Sequence, residues 1–198
     1  HLIRKIVIST GAVTTLAGSP GSQGSTNSTG TSARFKYPQG ITTDGTNLYV
    51  VDSNNHTIRK IVISTGVVTT LAGSPGSNGS TNATGISARF KHPDHVTTDG
   101  TNLYVTDANN HTIRKIVIST GAVTTLAGSP GSTGTTNGTG TSARFNNPRG
   151  IITDGTNLYV SDHNNHTIRK IVIATGAVTT LAGTAGSSGS TDGTGTTA

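Results

Sequence analysis

The chain contains no cysteine, methionine or tryptophan, and all eight of its acidic residues are aspartate. Without cysteine it forms no disulfide and carries no thiol nucleophile, which fits either redox compartment. No apolar run approaches the roughly 18 residues needed to span a membrane, and no stretch has the layout of a signal peptide. These absences exclude disulfide scaffolds and thiol chemistry.

Hydrophobic residues are also scarce. They make up 30% of the 198 residues, aromatic residues make up 4%, and glycine alone accounts for 27 positions. Such a composition is common in disordered chains. Here, however, the apolar residues gather in short regular runs, which indicates strands joined by polar loops.

Charge is sparse, with 14 Lys and Arg against 8 Asp, giving +6 with neutral histidine. An excess of this kind favours polyanionic partners. Eight of the 14 basic residues are Arg-Lys pairs that a repeated strand position explains without any partner: Arg4-Lys5, Arg59-Lys60, Arg114-Lys115 and Arg169-Lys170. No basic stretch carries the aromatic residues that stack on bases, so nucleic acid is not expected as a partner.

One stretch recurs almost unchanged. Residues 44–61 return at 99–116 and again at 154–171. His56 and His111 lie 55 residues apart (111 − 56 = 55). A fixed period of this length indicates a repeat architecture.

Each period reads as four short strands. In the first full unit, β-forming runs cover residues 40–43, 47–51, 57–63 and 67–72, separated by turn residues. The short connections predict an antiparallel meander. Leu48, Tyr49 and Ile58, with their equivalents, are expected to be mainly buried. The fold class is therefore all-β, a β-propeller of four-stranded blades, with units at 34–88, 89–143 and 144–198 in one propeller domain. Residues 1–33 supply the C-terminal half of a blade and a long loop.

The units resemble the NHL-repeat family of β-propellers. The resemblance is carried by Pro38-Gln39-Gly40-Ile41, Asn47-Leu48-Tyr49-Val50-Val51-Asp52 and Asn55-His56-Thr57-Ile58, which recur in every unit. Two departures stand out. The units are about a dozen residues longer than is usual in the family, and His95 replaces the glycine found at Gly40 and Gly150.

The extra length lies in low-complexity loops such as 73–88, which are rich in Gly, Ser, Thr and Asn. Such loops have little to bury and are expected on the surface. Each ends near the single phenylalanine of its unit, and we interpret that ring as an anchor on the sheet. The phenylalanines are Phe35, Phe90 and Phe145.

The repeated polar residues are interpreted as structural, because a single active site needs only one copy. Asp52 and its equivalents, followed by Asn-Asn, are expected to form Asx-type turns. Asp44 belongs to an Asp-Gly turn, and His56 starts the third strand of its unit.

Only a few positions change between the copies, and they gather around the proline and the second turn. On a propeller the connections that carry them emerge on one rim near the central channel. We expect any binding face there, on a candidate rim made of Tyr37, Gln39, His92, Asp94, His95, Asn147, Arg149 and His163. His92, Asp94 and His95 have side chains that can bind a metal ion. The favoured interpretation is that these surface positions have changed without functional consequence. Neither a metal nor a cofactor is expected.

The sequence therefore predicts a non-catalytic structural or protein-interaction repeat module, secreted or at the cell surface, that binds a protein partner or itself. Two alternatives stay open. One is a propeller enzyme of the metal-dependent hydrolase or lyase type with its site in the central channel. The other is a glycan or polyanion binder that uses the basic pairs.

The strand count gives one further expectation. Residues 1–33 supply two strands and the three full units supply twelve, which makes three and a half blades. Closed propellers have about four to eight blades. We therefore expect the chain to be an excerpt of a longer repeat array, in a larger assembly or fibre.

Overall fold

The computed structural model describes residues 1–197, and its regular structure is almost entirely β-strand. The strands are β1 Leu2–Ile6, β2 Val13–Gly18, β3 Pro38–Thr43, β4 Asn47–Asp52, β5 Thr57–Val62, β6 Val68–Ala72, β7 Pro93–Thr98, β8 Asn102–Asp107, β9 Thr112–Val117, β10 Val123–Ala127, β11 Gly138–Thr139, β12 Pro148–Thr153, β13 Asn157–Asp162, β14 Thr167–Val172 and β15 Ala177–Ala182. The helical residues form three-residue 3-10 turns at Gly30–Ser32, Ser53–Asn55, Gly85–Ser87, Ala108–Asn110, Gly140–Ser142, His163–Asn165 and Gly195–Thr197.

The strands form antiparallel blades in sequence order, which confirms the predicted fold class. The three full blades are β3–β6, β7–β10 and β12–β15, and β1 with β2 forms a two-stranded sheet. The first strand of each blade begins at its proline, two residues earlier than the sequence pattern indicated. A proline fits there because the innermost strand is a sheet edge, where a missing N–H breaks no ladder bond.

The innermost strands of the three blades lie side by side, with β7 between β3 and β12. Gly40 permits the approach of the first pair. A Cβ at Gly40 would lie 2.5 Å from the Cα of His95. At the equivalent Gly150 a Cβ would meet only the side chain of Ser161 in its own blade, with Oγ at 3.1 Å. The same position is therefore packed against the backbone of the next blade at Gly40 and against one side chain of its own blade at Gly150.

The apolar core lies between neighbouring blades. One cluster joins Tyr49, Val51 and Ile58 of the first blade to Leu103 and Val105 of the second. The sequence predicted burial for Leu48, Tyr49, Ile58 and their equivalents. The prediction is confirmed in the first two blades, although Leu48 is only half-buried. In the third blade Tyr159 is half-buried and Ile168 is 40% exposed, because no blade within residues 1–197 covers that face.

The Gly/Ser/Thr-rich loops are more structured than the sequence suggested. Each loop pairs with the outermost strand of the blade that follows it: β11 lies antiparallel to β15, and single bridges join Thr29 to Val67 and Thr84 to Ala122. The expected surface position is confirmed, because residues 74–87 are exposed or half-buried, and the polar backbone of each loop pairs with an exposed strand edge. Covering that edge protects it from pairing with other chains.

Candidate functional site

Every full blade contains one buried ion pair between an arginine and an aspartate. In the first blade the Arg59 Nη1 donates to Asp52 Oδ2 at 2.8 Å, and both side chains are fully buried. The Asp52 carboxylate also accepts hydrogen bonds from the Lys36 amide at 2.6 Å and from Asn55 Nδ2 at 2.7 Å. The second and third blades repeat the pair with Arg114–Asp107 and Arg169–Asp162. Burial raises the pKa of Asp107, and the charge of Arg114 opposes that rise.

The same arginine holds the long loop that precedes its blade. Arg59 donates to the carbonyl of Arg34 at 3.0 Å and to the side chain of Asn27 at 2.7 Å. Its guanidinium carbon lies 5.1 Å from the centroid of the Phe35 ring, a cation–π distance. Phe35 is fully buried, which confirms its interpretation as an anchor. The arginine, the aspartate and the phenylalanine thus clamp the loop onto the blade.

The expected Asx-turn role of Asp52 was wrong. Its side chain makes no cap hydrogen bond to the 3-10 turn that follows it. The carboxylate points inward because a buried guanidinium and two amide donors outcompete the local N–H groups. The missed signal was the arginine seven residues later, which recurs in every full unit and was interpreted as a strand residue that needs no partner.

The Asp-Gly turn behaves as the sequence predicted. Asp44 Oδ1 accepts hydrogen bonds from the amides of Thr46 at 2.9 Å and Asn47 at 2.7 Å, and Oδ2 accepts one from the Tyr49 hydroxyl at 2.7 Å. The second blade has the same arrangement. Burial acts to raise the pKa of Asp99, but its hydrogen bonds outweigh burial and hold that pKa at about 2. The carboxylate of the turn is therefore a structural acceptor.

The repeated histidines join successive units. His56 lies in the left-handed region with φ of 60°, where it ends a 3-10 turn. Its Nδ1 accepts a hydrogen bond from the His92 amide at 3.2 Å, and the two rings meet edge to face. His1 and His111 accept equivalent bonds from Tyr37 and Asn147. Burial lowers the pKa of His56, which favours the neutral ring that this acceptor role requires.

Five of the eight candidate rim residues surround one cavity of about 220 Å³. The innermost strands and the residues just before them contribute Gln39, His92, Asp94, Asn147 and Arg149. The second-to-third connections contribute the remaining lining residues, Ser53, Asn54, Ala108 and Asn109. The two connections do therefore meet on one face, and the cavity between them is almost wholly polar. We call it the rim cavity.

The rim cavity carries both signs of charge. Asp94 is 8% exposed and its Oδ2 lies 3.6 Å from Nδ1 of His95. The Arg149 side chain is exposed and makes no hydrogen bond or ion pair within residues 1–197, whereas its carbonyl accepts a 2.6 Å hydrogen bond from Thr106. Because its backbone is held in place and its guanidinium has no partner within residues 1–197, the Arg149 side chain could bind a carboxylate.

Three candidate rim residues do not line this cavity. Tyr37 is 57% exposed and packs edge to face on His1. His95 is exposed beside Asp94, and their contact raises the pKa of His95. His163 lines a different cavity, on the outer face of the third blade. The candidate rim residues are therefore divided between the rim cavity, its surroundings and a second cavity, and do not form one continuous site.

Residues 1–197 contain no group of three or more His, Asp or Glu side chains placed to hold a metal ion. In the same residues, no helix has the length and apolar character to cross a membrane.

Comparison with known proteins places these features in a family. A model of the NHL repeat matches residues 35–61, which hold the phenylalanine anchor, the Asp-Gly turn and the Asp52–Arg59 pair. The human NHL repeat-containing protein 2 is 31% identical over an alignment of 194 residues that covers 91% of this chain. The chain belongs to the NHL-repeat family. It spans about a quarter of that relative's length, 27%.

Solved structures share the fold of this NHL-repeat chain. An auxiliary nutrient binding protein from Bacteroides thetaiotaomicron superposes with a TM-score of 0.65 at 24% identity, covering 85% of this chain and 42% of its own. Virginiamycin B lyase from Staphylococcus aureus gives 0.56 at 20% identity, covering 90% of this chain and 47% of its own. At these identities the likeness concerns the arrangement of blades. An NHL-repeat propeller of this kind fits a protein-interaction module.

Proposed function

We propose that the chain is a non-catalytic module, secreted or at the cell surface, that binds a partner protein at the rim cavity. The cavity carries the proposal because its lining includes five of the eight candidate residues that comparison of the otherwise near-identical copies selected. Residues that build the blades, such as the Asp52–Arg59 pair, recur in each full unit. A surface that varies on a constant scaffold is where a binding site can be made specific without cost to folding.

The chemistry of the rim cavity suggests the class of partner. Arg149 offers a forked set of donors to a carboxylate, and Asp94 offers an acceptor to an amine or amide. Gln39 and Asn147 add uncharged groups that can pair with a peptide backbone. We therefore propose a polar peptide segment that carries at least one acidic side chain or a C-terminal carboxylate.

Binding of glycans or other polyanions by the basic pairs receives less support. Arg59, Arg114 and Arg169 are at most 1% exposed and are engaged in ion pairs. Only the lysines of these three pairs reach the surface. The enzyme alternative has no specific observation in its favour, since the likeness to the lyase concerns the fold.

Selection of peptides on the immobilised chain tests the proposal. A random peptide library should yield binders enriched in Asp or Glu, and Arg149→Gln should weaken them about tenfold, as loss of a charged hydrogen bond worth about 1.5 kcal/mol implies. Arg4→Gln is the matched control, because it removes an exposed positive charge that does not line the cavity. Equal weakening by both variants would show that net charge, and not the rim cavity, attracts the peptides.

A further inference from the structure

The residues that follow the prolines of the three innermost strands stand side by side at the rim cavity. They are Gln39, Asp94 and Arg149, at equivalent positions 55 residues apart (94 − 39 = 55; 149 − 94 = 55). All three line the cavity, and β7, which carries Asp94, lies between the strands that carry the other two. Asp94 is therefore flanked along the rim by a residue with an amide side chain and a residue with a guanidinium.

Asp94 differs from the two residues that flank it because it is buried. It is 8% exposed, whereas Gln39 and Arg149 are exposed. Its carboxylate accepts no hydrogen bond within residues 1–197, and its one charged contact is the 3.6 Å approach to the exposed His95. A buried carboxylate normally has hydrogen-bond donors around it, as Asp52 does. Asp94 therefore has acceptor capacity left for a group that enters the cavity.

The amide and guanidinium groups around Asp94 are also without partners in the described part of the chain. Five lining residues carry such groups, and none of their side chains makes a hydrogen bond to residues 1–197: Gln39, Asn54, Asn109, Asn147 and Arg149. In the body of the first blade, by contrast, Asn27 accepts from Arg59 and Asn55 donates to Asp52. Because an amide side chain both donates and accepts, the amides of the rim cavity can pair with either kind of polar group on a ligand.

One hydroxyl connects the backbones that carry the two charges. Thr106 accepts a hydrogen bond from the His95 amide at 2.9 Å and donates one to the Arg149 carbonyl at 2.6 Å. The backbone next to Asp94 is therefore tied to the backbone of Arg149. The two charged side chains nevertheless form no ion pair with each other among residues 1–197. Opposite charges on neighbouring strands that do not pair with each other are complementary to a ligand that carries both charges.

We propose that the rim cavity binds a free α-amino acid with a small polar side chain. Its ammonium group donates to the Asp94 carboxylate, its carboxylate accepts from the Arg149 guanidinium, and the surrounding amides hydrogen-bond its side chain. The cavity volume of about 220 Å³ lies below the roughly 300–1,000 Å³ of pockets for drug-sized ligands, which matches so small an occupant. The proposal goes beyond the proposed function and does not depend on it, because a free amino acid can bind here whether or not a protein partner does.

L-Asparagine supplies the probe, titrated into the ¹⁵N-labelled chain. It should shift the amide signals of Asp94, His95 and Arg149 in a saturable way at millimolar concentrations. N-acetyl-L-asparagine lacks the ammonium group, and L-asparagine amide lacks the carboxylate. Each should bind at least about tenfold more weakly than L-asparagine, as loss of a charged hydrogen bond implies.

Variants of the chain assign each charge of the probe to its partner. Asp94→Asn should weaken the binding of L-asparagine at least about tenfold, and this variant should bind the free and the N-acetylated probe about equally, because the group that distinguishes them has lost its partner. Arg149→Gln should likewise bind L-asparagine and its amide about equally. Asp192→Asn is the matched control, because it removes an exposed negative charge that does not line the cavity, and it should bind as the natural chain does.

Three results would overturn the proposal: no saturable shift with L-asparagine, equal binding of the free and the N-acetylated probe by the natural chain, or equal weakening by Asp94→Asn and Asp192→Asn. The outcome is separable from that of the peptide selection. A chain that binds L-asparagine but selects no acidic peptide would support this proposal and contradict the proposed function. A chain that selects acidic peptides but binds no L-asparagine would do the reverse.

Discussion

Replacing Arg114 with methionine should destabilise the chain by about 3–5 kcal/mol, the usual cost of removing one partner of a buried ion pair. The change leaves the fully buried Asp107 without its counter-charge. It also removes the donors to the Arg89 carbonyl at 3.0 Å and to Asn82 Oδ1 at 2.8 Å, so the loop loses its hold on the blade. The upper half of the range is therefore expected. Equilibrium unfolding in urea, with the slope compared between variants, measures the loss.

Arg4→Met is the matched control for this experiment. Arg4 occupies the same position in the first half-unit, but it is exposed and makes no side-chain hydrogen bond within residues 1–197. Its replacement should change the unfolding free energy by no more than about 0.5 kcal/mol. The double change Asp107→Leu with Arg114→Met should recover part of the lost stability, because no buried charge then lacks a partner. If Arg114→Met costs no more than Arg4→Met, the clamp contributes nothing to stability and the reasoning is refuted.

Three further predictions follow from contacts that differ between copies or between aspartates. Gly40→Ala should lower the unfolding free energy by more than about 1 kcal/mol, because the new methyl group would overlap the backbone at His95. Gly150→Ala should lower it clearly less. Equal midpoints of the two variants in urea would contradict this. Thr106→Val, which adopts the residue of the first copy, should cost about 1–2 kcal/mol because the Arg149 carbonyl loses its donor; thermal unfolding measures it. The depressed pKa of Asp99 contributes stability that is present above about pH 4 and is lost as the pH falls through about 2. Carboxyl NMR should show Asp99 titrating below Asp107, and the reverse order would contradict the assignment.

Much of the fold could be predicted from the sequence because the same pattern of strands and turns occurs three times. A strand assignment that is ambiguous in one unit can therefore be checked against the other two. Four β-forming runs between turn residues, seen three times, leave few topologies other than antiparallel blades. The Asp44 turn was also predictable, since it depends on residues close in the chain, and the Phe35 anchor was predictable because each unit holds a single phenylalanine at the end of its loop. The start of the first strand was misplaced because a proline at the channel edge joins the sheet without donating to it.

The buried clamp and the loop pairing could not be predicted by reading one unit at a time. Arg59 bonds to Arg34 and Asn27, residues that belong to the preceding loop and lie outside any local pattern. Comparing the three units did identify the candidate rim residues, because residues that do not pack against the rest of the protein can vary. Thr106, which stands where the first copy has Val51, also varies, yet its hydroxyl donates to the Arg149 carbonyl of the next blade. Variation alone therefore does not separate binding residues from packing residues.

Chemical-shift mapping of a selected peptide on the ¹⁵N-labelled chain tests most directly whether the rim cavity is the binding face. A peptide obtained by selection on the natural chain should shift the amide signals of Gln39, Asn147 and Arg149. With Arg149→Gln, about ten times more peptide should be needed to reach half of those shifts, while the rest of the spectrum is unchanged. Shifts confined to the Gly/Ser/Thr-rich loops, or shifts at the rim that survive Arg149→Gln at full strength, would contradict the account.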